Sequence, residues 1–213
     1  MFSRNTTYKT SNSEPEIRNK YYIIYKPFEM LCQFTGEKGQ KTLGELGKFP
    51  KDVYPLGRLD ANSEGLLILT NDPDLNHRLL NPKFEHQRTY LAQVDGSVTP
   101  EAIEKLCKGV EISVEGKKYR TKPAKAIALT DEPVVPERIP PIRFRKNIPT
   151  SWIELTLTEG KNHQVRKMTA QVGFPTLRLI RTAIEGIKLG AMKPGEVKEL
   201  GGKDIYLMLK IAR

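Results

Sequence analysis

A chain of 213 residues can bury one sizeable core or two small lobes. Its 35 Lys and Arg against 25 Asp and Glu leave a formal charge of +10, which points to a polyanion, most often nucleic acid and less often an acidic membrane surface. No long apolar run supports a membrane span. Two isolated cysteines, Cys32 and Cys107, and three histidines without ligand spacing argue against a zinc site or disulfide scaffold and fit a reducing cytoplasm.

Residues 1–20 are rich in Ser, Asn and Thr and lack an apolar signal region, so they predict a disordered polar tail. Tyr21 to Tyr25 is a β-rich run halted at Lys26-Pro27. Leu66 to Thr70 predicts a buried strand. Asp72 and Pro73 then mark a helix start, with Leu75, Leu79 and Leu80 directed inward. Arg88 to Gly96 alternates as a strand, with Tyr90, Ala92 and Val94 on one face. Thr99-Pro100-Glu101 opens a helix through Lys108 that Gly109 ends. Lys118 to Leu129 contains a further strand.

Glu132 to Thr150 holds five prolines together with Arg138, Arg143, Arg145 and Lys146. Proline prevents regular pairing, so this is an extended basic loop, either a solvated linker or an arm that tracks phosphates. Ser151 to Thr158 predicts a strand, with Trp152, Glu154, Thr156 and Thr158 on one face and Ile153, Leu155 and Leu157 on the other. Asn162 to Val172 predicts a helix stopped by Gly173, and Thr176 to Ile184 a returning strand. Strands and helices mix without a strict βαβ rhythm, so the fold class is α+β rather than doubly wound.

Two clusters could carry chemistry. In Gly57 to Thr70, a lone carboxylate, Asp60, sits in a glycine-bracketed polar loop beside Arg58, at the lip of a strand. A loop Asp is a turn former, a helix cap or a catalytic group. A glycosidase would want a second carboxylate, and the nearby Glu64, at the loop's end beside Gly65, reads as solvent-exposed. In the predicted helix from Asn162, Val165, Met168, Thr169 and Val172 make an inner stripe. His163, Arg166, Lys167 and Ala170 make a second, basic face. That face is either solvated or set to meet a phosphate or a buried acid, aided by the helix dipole.

Five ordered segments carry a resemblance. They are Lys26-Pro27; Gly57-Arg58-Leu59-Asp60 with Ser63 and Gly65-Leu66-Leu67; Arg88-Thr89-Tyr90; Asn162 to Met168; and Leu177 to Arg181. Together they resemble the RsuA-type branch of RNA pseudouridine synthases, over Tyr21 to about Lys193. Pro140 to Arg143, Ile148 to Trp152 and Gly173 to Arg181 look most like members acting on large-subunit ribosomal RNA. The resemblance implies a mixed, largely antiparallel central sheet flanked by helices, two-lobed, with the active site in a cleft. It implies a catalytic domain over residues 21–213 with the basic loop 132–150 and no preceding S4-type module.

The implied reaction isomerises a specific uridine of 23S ribosomal RNA to pseudouridine, on the free RNA or a large-subunit precursor, in the cytoplasm. It needs no redox cofactor and no metal, and the implied enzyme is a monomer with no membrane partner. The family's motifs map its aspartate onto Asp60, which attacks C1′ or takes a proton from C2′. Arg166 would ion-pair with Asp60 and keep it charged against burial. Tyr90 would pack on the uracil, and Leu179 would line the base pocket or simply the core. Arg58 is the expected filler of the space left by a flipped base. Lys26, His163, Gln164, Lys167, Arg143 and Arg145 complete the expected RNA contacts. The alternatives are a catalytically silent RNA-binding assembly factor, the same chemistry on another RNA, or a nucleoside or glycan hydrolase.

Overall fold

The computed structural model describes residues 19–142 and 148–212. Most of the expected tail, and Arg143, Arg145 and Lys146 of the basic loop, lie outside the described residues. The elements run β1 (Tyr21–Lys26), β2 (Met30–Leu31), β3 (Lys41–Thr42), β4 (Tyr54–Pro55), β5 (Glu64–Thr70), α1 (Pro73–Leu80), β6 (Arg88–Asp95) and α2 (Pro100–Lys108). They continue with β7 (Glu111–Val114), β8 (Lys117–Arg120), β9 (Lys125–Ala128), β10 (Thr150–Leu157), α3 (Gln164–Gln171), β11 (Thr176–Ile184), β12 (Ile187–Lys188), β13 (Val197–Glu199) and α4 (Gly202–Met208).

One sheet organises the chain, in the order β13-β1-β5-β11-β6-β10-β9, with β4 added to β5 and β12 to β11. Its pairings are antiparallel except at the centre, where β5 and β11 run parallel. The expected α+β class and largely antiparallel sheet are thus both present. Alternation along the strands separates two faces. On the back, Tyr21, Ile23, Tyr25, Leu66, Ile68, Leu91, Trp152 and Ile180 join Leu75 and Leu79 of α1, Ile205 of α4 and Leu209 just after it in one core. The front carries two cores side by side. Tyr90, Ala92, Val94, Ile153, Leu155 and Leu179 pack with α2 and α3. Ile24, Leu67 and Leu69 pack with Met30, Leu43 and Val53. Every residue of β5 is buried, as a central strand covered on both faces requires.

Local chemistry sets the helix starts. Asp72 accepts from Asp74 N at 3.0 Å and Leu75 N at 3.2 Å, and Pro73 occupies the first turn. The same carboxylate accepts from Tyr21 Oη at 2.6 Å and Tyr206 Oη at 2.8 Å, tying β1 and α4 to α1. Burial pushes the Asp72 carboxyl up, but these four hydrogen bonds outweigh it and hold the group below its ordinary range. Thr99 caps α2 through Ala102 N, and Gly109 follows its last residue.

Several expectations change. Glu64 is not exposed; it opens β5 at 2 % exposure and receives both Nε and Nη2 of Arg178 at 2.8 Å. The β5–β11 register puts both side chains on the back face, where the sheet excludes water. Leu80 is 40 % exposed because it lies one residue past the Leu75/Leu79 stripe and turns toward the cleft. The segment 118–129 holds two strands rather than one, and β2, β3, β4, β7, β12, β13 and α4 were not expected. Strands of two to four residues are too short for a periodicity to register. Described parts of the proline-rich loop fold back on the protein: Pro136 O accepts from Arg178 Nη2 at 2.8 Å, and the Arg138 guanidinium lies 4.2 Å from the Phe28 ring centre. Among the described residues, no helix is long and apolar enough to cross a membrane.

Candidate active site

A cleft of about 380 Å³, of a size that takes a nucleotide, opens where the Tyr90/Leu179 front core meets Leu56, Leu79 and Ile184 of the back core. Asp60, Ser63, Tyr90, Leu179 and Arg181 line it, with Arg58, Leu80 and His163 among the residues around them.

The Asp60 loop is fixed by its backbone. Leu59 N donates to Cys32 Sγ at 3.2 Å and Ser63 N to Asp60 O at 3.0 Å. Ala61 O accepts from Glu29 N at 2.8 Å and from Lys26 Nζ at 3.3 Å. Arg166 Nη2 donates to Asn62 O at 2.7 Å, and its Nη1 to Thr176 O at 3.2 Å, so this guanidinium bridges the loop to β11. Glycine is needed at the loop's exit. Gly65 has φ of +107°, and a Cβ there would sit 2.3 Å from Arg181 O. The parallel β5–β11 contact brings the two backbones that close together.

The charge partner of Asp60 differs from the one expected. His163 Nδ1 lies 2.9 Å from Asp60 Oδ2. Arg166 makes no ion pair with Asp60 among the described residues; its terminal nitrogens are committed to carbonyls. It still feels the carboxylate: burial pushes its guanidinium down, and the Asp60 charge opposes that. The cause is where the helix begins. α3 starts at Gln164, not Asn162, and His163 is its N-cap with φ 53° and ψ 29°. A left-handed residue leaves the helical spiral, so His163 turns away from the Arg166 face and toward Asp60. Such a conformation costs a non-glycine residue about 1 kcal/mol, a strain that recurs at functional positions.

Of four expected RNA contacts, two are buried and two lie at or near the surface. Lys26 is fully enclosed, and its Nζ donates to Pro27 O at 2.9 Å, Met30 O at 2.8 Å and Ala61 O. It anchors the loop rather than meeting RNA, and burial pushes its ammonium down to about 8. Gln164 is buried too; its Nε2 donates to Glu159 at 2.7 Å and its Oε1 accepts from Lys161 N at 2.8 Å. Lys167 is half-buried on α3 and Arg58 is exposed at the cleft. Tyr90 and Leu179 both contribute to the front core and to the cleft wall.

Two further carboxylates border the cleft, and both are occupied. Glu85 pairs with Lys122 at 2.5 Å, while Glu159 accepts from Tyr119 Oη, Lys122 N and Gln164 Nε2. Sequence reasoning overlooked Cys32, whose thiol burial pushes up and whose sulfur packs between both front cores under Leu59. It also gave no role to Ser63 or Arg181, though both stood in the quoted segments. Only the strand order shows that they share a wall with Asp60.

Comparison with known proteins follows the same lines. The family described as RNA pseudouridylate synthase matches residues 20–171. The chain is 48% identical over 186 residues to ribosomal large subunit pseudouridine synthase E of Vibrio parahaemolyticus, covering 87% of this chain and 76% of that protein. It is 43% identical over 176 residues to the protein of the same name from Xanthomonas campestris, covering 82% and 91%. A crystal structure of a pseudouridylate synthase superposes with a TM-score of 0.72 at 26% identity, covering 90% of this chain and 74% of that one.

Proposed function

Because this chain belongs to the RNA pseudouridylate synthase family, we propose that its cleft converts a uridine of large-subunit 23S ribosomal RNA into pseudouridine, with Asp60 acting on the ribose. The observation that carries this reading is the meeting of Asp60, Tyr90 and Leu179 in one cleft, with Asp60 backed by His163. The uridine leaves its stack to enter. Tyr90 and Leu179 offer an apolar wall for the uracil, which places C1′ toward the carboxylate. Asp60 then attacks C1′ or removes the C2′ proton, and the base turns and rejoins through C5. Arg166 holds the loop through Asn62, and Arg58, exposed at the cleft, fills the gap in the RNA. The unit that does this is residues 21–213, and it needs no second subunit.

The intact set of Asp60, Tyr90 and Arg166 favours turnover over silent RNA binding. A two-acid hydrolase is not supported, because Glu64, Glu85 and Glu159 are all engaged by other groups. Asp60→Asn tests the reading. It should lower pseudouridine formation on large-subunit ribosomal RNA by at least about 10³-fold while RNA affinity persists. Normal pseudouridine at every mapped position, in cells carrying only that variant, would overturn it.

A further inference from the structure

Four residues on neighbouring strands form a row of Cα partners across the front of the sheet. Lys26 pairs with Gly65, Gly65 with Arg181, and Arg181 with Tyr90. Paired residues share a face, so Lys26 and Arg181 flank a position that carries no side chain. The Asp60 loop passes over this row, held by Lys26 through Ala61. The charges of Asp60 and Arg181 both reach Lys26 and Cys32, so the groups form one electrostatic cluster.

The two cations differ in how well they are satisfied. An ammonium has three donors, and Lys26 spends them on three carbonyls. A guanidinium has five donors. Arg181 is 4 % exposed, and among the described residues its one acceptor is Leu66 O, 2.8 Å from Nε. Its Nη2 is buried with no partner among the described residues. Arg166 and Arg88, by contrast, each place two terminal nitrogens on carbonyls. Burying a charge with so few acceptors is costly, and the cost is recovered when an acceptor arrives. Arg181 lines the cleft beside Tyr90 and Leu179. Ser63, on the same wall, also has a buried Oγ without a partner among the described residues.

We propose that Arg181 is a further catalytic residue, whose free guanidinium nitrogens donate to a carbonyl oxygen of the departing uracil and stabilise the uracil anion. The proposal rests on the pseudouridine synthase reading above. When the C1′–N1 bond breaks, its electron pair leaves on N1 and spreads over O2 and O4. C1′ meanwhile bonds an Asp60 oxygen, or C2′ yields its proton to Asp60. C5 then bonds C1′, restoring Asp60; the proton lost from C5 balances the one gained at N1. A fixed, desolvated donor at O2 or O4 acts where charge develops, the arrangement in which such donors are worth most.

The test compares leaving groups. Single-turnover loss of the N1-linked nucleoside is measured on RNA carrying uridine or 5-fluorouridine at the target. Fluorine stabilises the uracil anion by itself, so it replaces part of what Arg181 supplies. Arg181→Met should slow uridine cleavage by on the order of 10²-fold and 5-fluorouridine cleavage by a clearly smaller factor. Arg181→Lys, which keeps a cation, should fall between, and it carries the test if the Met variant does not fold. RNA affinity and thermal melting confirm that each variant tested is folded. Equal slowing of both RNAs, the mark of a merely structural role, overturns the proposal, as does unchanged uridine cleavage. Failure of the unaltered protein to make pseudouridine would instead sink the functional reading itself.

Discussion

Asp60 owes its place to backbone hydrogen bonds on its neighbours more than to any charge partner. Leu59, Ala61, Asn62 and Ser63 are each tied down, by Cys32, Lys26 with Glu29, Arg166 and the loop itself. Among the described residues, the one side chain at ion-pair distance is His163. His163→Ala should therefore free the Asp60 carboxylate to rotate. The expected result is a fall in kcat of roughly 10-fold to 10²-fold, in the range of a lost orienting contact, with RNA Kd little changed. Paired turnover and binding measurements check it; an unchanged kcat would show that the contact does not orient Asp60. The side chain of His163 was legible as part of a basic cluster. Its target was not, because a single left-handed residue at the N-cap decides which way it points.

At the scale of elements, two buried carboxylates hold the sheet and its helices together. Asp72 was legible as a helix cap, since Asn71-Asp72-Pro73 is a local signal. Its bonds to Tyr21 and Tyr206 were not, because these residues meet only when β1 and α4 pack on α1. Asp72→Ala removes all four bonds and should cost about 2–4 kcal/mol, the cap and two buried hydrogen bonds together. Chemical denaturation measures this. Part of the same stability should be lost in acid: a carboxyl held below its ordinary range stabilises the fold above its unfolded pKa and stops doing so as pH falls through the folded one.

Glu64 and Arg178 join the parallel strands β5 and β11 on the back of the sheet, and Arg178 also holds Pro136 of the proline-rich loop. Arg178→Met strands a buried carboxylate and should destabilise the protein by about 3–5 kcal/mol. The double variant with Glu64→Leu should recover much of that loss. A single-variant cost under 1 kcal/mol would mean that water reaches Glu64.

Across the whole molecule, the positive charge governs how RNA is met. Binding should weaken with salt, and about five phosphate contacts would give a slope of log Kobs against log salt near −3.5 for single-stranded RNA. Arg58→Ala should reduce that slope by less than one contact and lower turnover as well, because an exposed arginine beside Asp60 serves the flipped state in addition to the phosphates. Titrations at several salt concentrations separate the two effects. A steeper loss of slope would make Arg58 a phosphate contact alone.

The sequence by itself determined the long strands, the capped helices, the α+β class and the segments that carry Asp60, Tyr90 and Arg166. These rest on alternation, capping residues and motif order, all of which act over a few neighbouring residues. Tertiary structure decided what those residues touch. The parallel junction of β5 and β11 joins segments more than a hundred residues apart, sets Glu64 and Arg178 on one face, and lines up Lys26, Gly65, Arg181 and Tyr90 on the other. Charges, donors and acceptors that lie far apart along the chain are matched only once strand order and register are fixed. Burial then makes those matches matter: Lys26 becomes an anchor inside the protein, and Arg181 is left facing the cleft with donors to spare.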